Sequence, residues 1–118
     1  MGTTKTVLLV EDDADVRNAL ATFLRANGMT VSTATHGLDG LRKLAQEMPP
    51  AVIVADLMMP VMDGWDFLQR CPEGIPIVVL SGTADIQRTK AHPDVVAILQ
   101  KPVAIDVLVR AVKPYMDV

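Results

Sequence analysis

The chain has 118 residues, of which 50% are hydrophobic and only 3% aromatic, and its formal net charge at pH 7 is −3. This length fits one compact domain, and an apolar content dominated by Val, Leu, Ile and Ala favours a parallel sheet covered on both faces over a β-sandwich. The negative charge, with Lys and Arg scattered along the chain, argues against direct nucleic-acid binding.

The first half of the chain predicts two strand–helix units. Lys5–Val10 is a short apolar run that ends at acidic residues, and apolar residues then recur at helical spacing from Val16 until Gly28 stops the pattern. Met29–Ala34 contains β-branched residues and predicts the second strand. The second helix is predicted over Gly37–Met48, where two prolines end it.

The second half predicts three more strands, over Ala51–Ala55, Ile75–Leu80 and Val95–Leu99. A short helix is expected after the third strand, and the last helix is predicted over Ala104–Lys113. Five strand–helix units predict an α/β fold: a doubly wound, five-stranded parallel sheet with helices on both faces. The flavodoxin-like strand order 2-1-3-4-5 is expected, with a crevice between strands 1 and 3.

Charged residues follow three of the predicted strands. Glu11 and Asp12 come after the first strand, Asp56 after the third, and Lys101 after the fifth, while Asp63 lies in the loop beyond Asp56. Because the carboxyl ends of parallel strands converge, these segment ends are expected to meet in one crevice. Clustered carboxylates suit a hard divalent cation such as Mg²⁺, and a lysine beside them suits an anion, most simply a phosphoryl group.

Other polar residues are assigned structural roles. Asp13 and Asp15 are expected to cap the first helix, and Asp63 to begin a helix or turn without taking part in chemistry. His36 and His92 have no acids at metal-ligand spacing and are interpreted as surface residues.

The run Asp56-Leu-Met-Met-Pro-Val-Met-Asp-Gly64 is the most specific signal in the chain. Here the sequence resembles the receiver domain of two-component response regulators, of the single-domain, chemotaxis-regulator-like kind, in which the phosphoacceptor aspartate opens a D-x-x-M-P-x-M-D-G loop. The resemblance covers essentially the whole chain and implies a single receiver domain over residues 1–118.

The resemblance assigns the acceptor and metal residues by position. Asp56 would be the phosphoacceptor and, with Asp12, a direct metal ligand. Glu11 would be a metal-site acid acting mainly through water, and the backbone carbonyl of Met58 would supply a further ligand. Mg²⁺, or another divalent cation such as Mn²⁺, is the implied cofactor.

The resemblance also assigns the phosphate-binding and switch residues. Ser81 would be the switch hydroxyl, Gly82 would keep backbone space beside the phosphate, and Lys101 would be followed by a typically cis Pro102. One switch position departs from the family, because Ile98 stands where Tyr or Phe is usual. The stretch from residue 84 to residue 94 is also short, so the helix there is expected to be stunted or irregular.

The implied function is to accept a phosphoryl group on Asp56 from the phosphohistidine of a histidine kinase or phosphotransfer protein. The domain would then change the surface that contacts a downstream effector, and it would not be an enzyme beyond assisting its own phosphorylation and dephosphorylation. No membrane span or secretory signal is visible and the single Cys71 cannot form an internal disulfide, so a cytoplasmic protein is expected.

Three alternatives compete with this interpretation. A dehalogenase-like phosphatase needs a second acid two residues after its nucleophile, where this chain has Met58. A flavodoxin-like flavin carrier needs a phosphate loop after the first strand, where Glu11 and Asp12 would repel the ligand. The alternative that stays open is an interaction module with receiver architecture that signals independently of phosphorylation.

Overall fold

The computed structural model describes residues 5–58, 61–82 and 91–116 of the chain. In chain order the elements are β1 Thr6–Val10, α1 Ala14–Ala26, β2 Thr30–Ala34, α2 Gly37–Gln46, β3 Val52–Asp56, α3 Gly64–Arg70, β4 Ile77–Ser81, β5 Val95–Gln100, α4 Ile105–Val112 and a final 3-10 turn Lys113–Tyr115. The strands form one five-stranded parallel sheet in the order β2-β1-β3-β4-β5. The predicted fold class and strand order are confirmed.

Apolar side chains cover the sheet on both faces. Successive residues of a strand point to opposite faces, so Val7 and Leu9 join a buried cluster with α1 and α4, whereas Leu8 and Val10 join a second cluster with Phe67 of α3. The central strand β3 is buried along its whole length. Burial explains why β1, β3 and β4 are near-continuous apolar runs in the sequence, whereas β2 and β5 are partly exposed.

The strand β4 begins two residues later than the predicted start at Ile75. Pro76 has no backbone N–H and cannot donate to the ladder, although its carbonyl accepts the N–H of Ile53 at 2.9 Å. The ladder between β3 and β4 therefore opens with the pair Ile53 and Ile77.

Two helices are shorter than predicted. The helix α2 ends at Gln46 rather than Met48, and Glu47 is extended. Met48 directly precedes Pro49, and a residue before proline is disfavoured in helical conformation. The helix α4 starts after the extended residue Ala104, and Pro114 is accommodated in the 3-10 turn that follows α4. The irregular helix expected over residues 84–94 falls mainly on residues 84–90, which lie outside the described ranges.

The strand register brings the polar ends of the strands to one edge of the sheet. Val10 pairs with Ala55, Asp56 pairs with Leu80, and Ser81 pairs with Gln100. Asp56 at the end of β3 and the residues that follow β1 and β5 therefore lie along the same edge of the sheet. Over the described ranges, none of the helices has the length and apolar character needed to cross a membrane.

Candidate functional site

An ion network of three side chains lies at the carboxyl edge of the sheet. The Asp56 side chain is 2% exposed and the Glu11 side chain is fully buried. The ammonium of Lys101 donates to Asp56 Oδ2 and, at 3.2 Å, to Glu11 Oε1. A lysine that follows β5 thus neutralises acids that terminate β1 and β3.

The environment shifts the protonation of two members of this network. Burial raises the pKa of Glu11 to about 7, and a hydrogen bond and charge repulsion from Asp56 add to the rise while Lys101 opposes it. Burial alone would lower the pKa of Lys101, but its hydrogen bonds and attraction to Asp56 and Glu11 outweigh burial and raise the pKa. Lys101 therefore stays cationic, whereas Glu11 exchanges its proton near neutral pH.

Three carboxylates lie close enough together to hold a metal ion. Oxygen atoms of Glu11, Asp12 and Asp56 all lie within 4.8 Å of one another. Asp12 is exposed, so the cluster opens to solvent on the side of Asp12, while the other two acids form its buried floor. An all-oxygen donor set of this kind fits Mg²⁺ or a similar hard cation.

The loop after β3 is anchored to the Asp56 carboxylate. The backbone N–H of Met58 donates to Asp56 Oδ1 at 2.9 Å, while the Met58 side chain points outward with 65% exposure. Both oxygens of Asp56 therefore have a hydrogen-bond donor, one from this loop and one from Lys101. Residues 59 and 60 of the sequence run lie outside the described ranges.

The last residues of this loop, Asp63 and Gly64, have structural roles at the start of α3. Asp63 caps α3, with Oδ1 accepting the N–H of Trp65 at 2.9 Å, as expected. A Cβ atom at Gly64 would lie 2.6 Å from Leu57 Cα and from the Leu57 carbonyl oxygen. A residue larger than glycine would displace the loop that leaves Asp56, so Gly64 has a steric role that the sequence pattern did not reveal.

Ser81 and Lys101 are joined through the backbone. Ser81 ends β4 with 7% exposure, and its carbonyl accepts the N–H of Lys101 at 2.9 Å. The Lys101–Pro102 peptide bond is cis. A Cβ atom at Gly82 would meet nothing within 4 Å, so no described residue crowds that position.

The position without the usual aromatic ring contributes to the core. Ile98 is half-buried and packs against the apolar cluster between the sheet and α3. This aliphatic side chain thus packs in the core at a position where the family usually has an aromatic ring.

Three residues have contacts that the sequence did not indicate. His36 and His92 are half-buried rather than surface residues: His36 Nδ1 accepts the N–H of Asp39 at 3.2 Å, and His92 contacts the carbonyl of Leu68 at 3.1 Å. Arg17 donates to the carbonyl of Glu11 at 3.0 Å. A basic residue one turn into the helix after an acid pair is the sequence signal that could have identified Arg17.

Comparison with known proteins identifies the family. The family model for "Response regulator receiver domain" matches residues 7–113. Among solved structures, the chemotaxis response regulator CheY4 of Vibrio cholerae aligns with a TM-score of 0.83 at 29% identity, covering 96% of this chain and 99% of that chain.

Two curated relatives are longer proteins. The probable transcriptional regulator ycf27 of Guillardia theta is 40% identical over 86 residues, which cover 71% of this chain and 34% of the relative. The transcriptional regulatory protein PrrA of Mycobacterium leprae is 38% identical over 112 residues, which cover 91% of this chain and 48% of the relative. The chain therefore spans about a third to a half of the length of these relatives.

Proposed function

Because the chain belongs to the response regulator receiver domain family, we propose that it is a phosphoacceptor domain over residues 1–118 with Asp56 as the acceptor. The observation that carries the proposal is the buried Asp56 carboxylate, which is bound by Lys101 on one oxygen and lies in a cluster with Glu11 and Asp12. These contacts support the proposal because a phosphoacceptor carboxylate needs a cation and further oxygen ligands close beside it.

The donor is a phosphohistidine on a histidine kinase or phosphotransfer protein. An oxygen of Asp56 attacks phosphorus, the P–N bond to the donor imidazole breaks, and the imidazole leaves with the bonding electron pair and takes up a proton. Lys101, already beside Asp56, then pairs with a phosphoryl oxygen. Positioning and charge stabilisation account for most of the catalysis in phosphoryl transfer.

Glu11, Asp12 and Asp56, together with the Met58 carbonyl, are the residues that would hold Mg²⁺ or a similar ion such as Mn²⁺. When bound, the ion supplies positive charge that neutralises the transferring group. The buried floor of Glu11 and Asp56 fixes the acceptor, and the exposed Asp12 leaves the crevice open to the donor.

The switch uses Ser81, Gly82, Lys101 and Pro102. We infer that the Ser81 hydroxyl binds a phosphoryl oxygen while the Lys101 ammonium binds another. Because the backbones of these two residues are hydrogen-bonded at 2.9 Å, movement of one is transmitted to the other. The altered surface is then recognised by a downstream effector protein, so the domain acts as a signalling module rather than as an enzyme on an external substrate.

Intact mass after incubation with acetyl phosphate tests this proposal. Wild type is expected to gain one phosphoryl group only when Mg²⁺ is present, and Asp56→Asn to gain none. Asp63→Asn is the matched control, since Asp63 lies in the same loop but caps α3, and asparagine also caps helices. Asp63→Asn should behave like wild type, and stable phosphate on Asp56→Asn would contradict the acceptor assignment.

One observation favours the phosphorylation-independent interaction module as the second candidate. Lys101 is already paired with Glu11 and Asp56, so these acids have a counter-ion within the chain even without a metal ion. Mg²⁺ binding separates the two functions, because a purely structural network requires none. Calorimetry that detects no Mg²⁺ binding, together with no mass gain, would favour the interaction module.

A further inference from the structure

Every backbone polar group of the acid pair has a hydrogen-bond partner. The Glu11 N–H donates to the Ala34 carbonyl at 3.1 Å, and the Asp12 N–H donates to Glu11 Oε2 at 3.1 Å. The two carbonyls accept from one nitrogen, Arg17 Nη1, at 3.0 Å for Glu11 and at a weaker 3.4 Å for Asp12. Arg17 therefore contacts the two peptide carbonyls on either side of the Asp12 Cα.

The geometry of α1 directs Arg17 back over this loop. Asp13 caps the helix by accepting the N–H groups of Asp15 and Val16, and the Arg17 N–H donates to the Asp13 carbonyl at 2.8 Å. Arg17 thus sits at the end of the first helical turn, and its side chain returns to the residues that precede the cap. A half-buried guanidinium makes charge-assisted hydrogen bonds, which are stronger than neutral ones.

The orientation of these carbonyls fixes where the acids point. Glu11 lies in the buried floor of the cluster, where Lys101 already holds its carboxylate. Asp12 is exposed, and none of the hydrogen bonds described here holds its carboxylate directly. The position of the Asp12 carboxylate relative to Asp56 therefore depends on the loop backbone that Arg17 holds.

We propose that Arg17 is a positioning residue for the divalent-cation site, acting through the backbone of Glu11 and Asp12. This inference rests on the proposed function, which requires that cation. Residues that hold metal ligands in place typically change metal affinity by about 10–100-fold when mutated.

Arg25 is a matched control on the same helix. Its Nη2 donates to the carbonyl of Val31 at 3.0 Å, so it makes the same kind of bond at the opposite end of α1. Arg17→Met and Arg25→Met each remove a guanidinium while keeping an apolar stem. Arg17→Met loses the bonds to the Glu11 and Asp12 carbonyls, and Arg25→Met loses the bond to the Val31 carbonyl, which lies away from the acid pair.

The experiment is titration calorimetry with Mg²⁺ alone, alongside urea unfolding. Arg17→Met is expected to bind Mg²⁺ about tenfold more weakly than wild type, and Arg25→Met within about twofold of wild type. Arg17→Lys, which keeps the charge and a donor, should recover most of the affinity. At saturating Mg²⁺, phosphorylation of Arg17→Met by acetyl phosphate should return close to the wild-type rate.

Two results would overturn the role of Arg17: wild-type affinity in Arg17→Met, or an equal loss of affinity in Arg17→Met and Arg25→Met, which would indicate general destabilisation. If Arg17→Met does not fold, the Mg²⁺ affinities of Arg17→Gln and Arg17→Lys are compared instead. Equal affinities of these two variants would overturn the positioning role of Arg17. Wild type that binds no Mg²⁺ at all would instead overturn the proposed metal site, and with it any positioning role.

Discussion

Polar side chains at the two ends of the sheet are used differently. At the amino end of β5, the side chain of His92 donates from Nε2 to the Leu68 carbonyl at 3.1 Å and accepts at Nδ1 from the Asp94 N–H at 3.2 Å, while Asp94 Oδ2 accepts the Gly74 N–H at 2.9 Å. These bonds tie α3, the turn before β4, and β5 together. At the carboxyl end, Lys101 and Glu11 bind other side chains instead.

This difference indicates a structural role for the polar side chains at the amino end and a chemical role for those at the carboxyl end. The imidazole of His92 has no remaining capacity for a ligand, because both of its ring nitrogens are bonded to backbone groups. The carboxylates of Glu11 and Asp56 each have two oxygens with several lone pairs, so they keep acceptor capacity beyond the hydrogen bonds they already make. Cys71 also lies near the amino end. Burial and the charge of Asp94 raise the pKa of its thiol to about 12. A thiol that stays protonated is a poor nucleophile.

The largest expected effect comes from removing the cation at the carboxyl end. Lys101→Ala leaves Glu11 and Asp56 without their shared counter-charge, and the free energy of unfolding at pH 7 is expected to fall by about 1–3 kcal/mol. The loss should shrink at about pH 5, where Glu11 is protonated. Urea unfolding measures this change, with the exposed Lys113→Ala as a control expected within about 0.5 kcal/mol of wild type. Equal stability of Lys101→Ala and wild type would mean that the network is not stabilising.

The titration of Glu11 provides a second test. Its pKa is about 7 in the folded chain against an ordinary 4.5, so the folded chain binds this proton more tightly than the unfolded chain does. The stabilising contribution is therefore complete below pH 4.5 and is lost as the pH rises through 7. The wild-type free energy of unfolding, minus that of the non-titrating Glu11→Gln variant, should fall by about 1–2 kcal/mol between pH 4.5 and about 7.5. A difference that does not vary with pH would contradict the raised pKa.

The smallest expected effect on chemistry comes from the amino end. His92→Ala removes the contacts to Leu68 and Asp94 and should lower the free energy of unfolding by about 1 kcal/mol. Mg²⁺ affinity and phosphoryl incorporation should stay within about twofold of wild type when measured well below the unfolding temperature. A many-fold loss of phosphoryl incorporation in this variant would contradict the purely structural role of the amino end.

The sequence predicts the strands and the site residues where local pattern decides the outcome. Continuous apolar runs such as Val52–Ala55 can be buried on both faces only in a parallel sheet with helices on both sides, and charged residues at strand ends then have to converge. The same reasoning predicts that Glu11, Asp56 and Lys101 converge, and the structure places them in contact.

The rest depends on contacts that no local pattern encodes. Whether Glu11 or Asp12 is the buried acid depends on how the chain leaves β1, and the bond of His92 to Leu68 joins residues 24 positions apart. The late start of β4 follows from the missing N–H of Pro76, a signal that was present in the sequence but was outweighed by the apolar Ile75. Arg17 was missed because its partners are backbone carbonyls, which every residue possesses.

The central claim is that Asp56 is the residue that carries the phosphoryl group. Borohydride reduction of the protein after incubation with acetyl phosphate and Mg²⁺ converts an aspartyl phosphate to homoserine, and peptide mass spectrometry then locates the converted position. Conversion is expected at Asp56 alone. Conversion at Asp12 or another carboxylate, or full phosphoryl incorporation without conversion at Asp56, would contradict it.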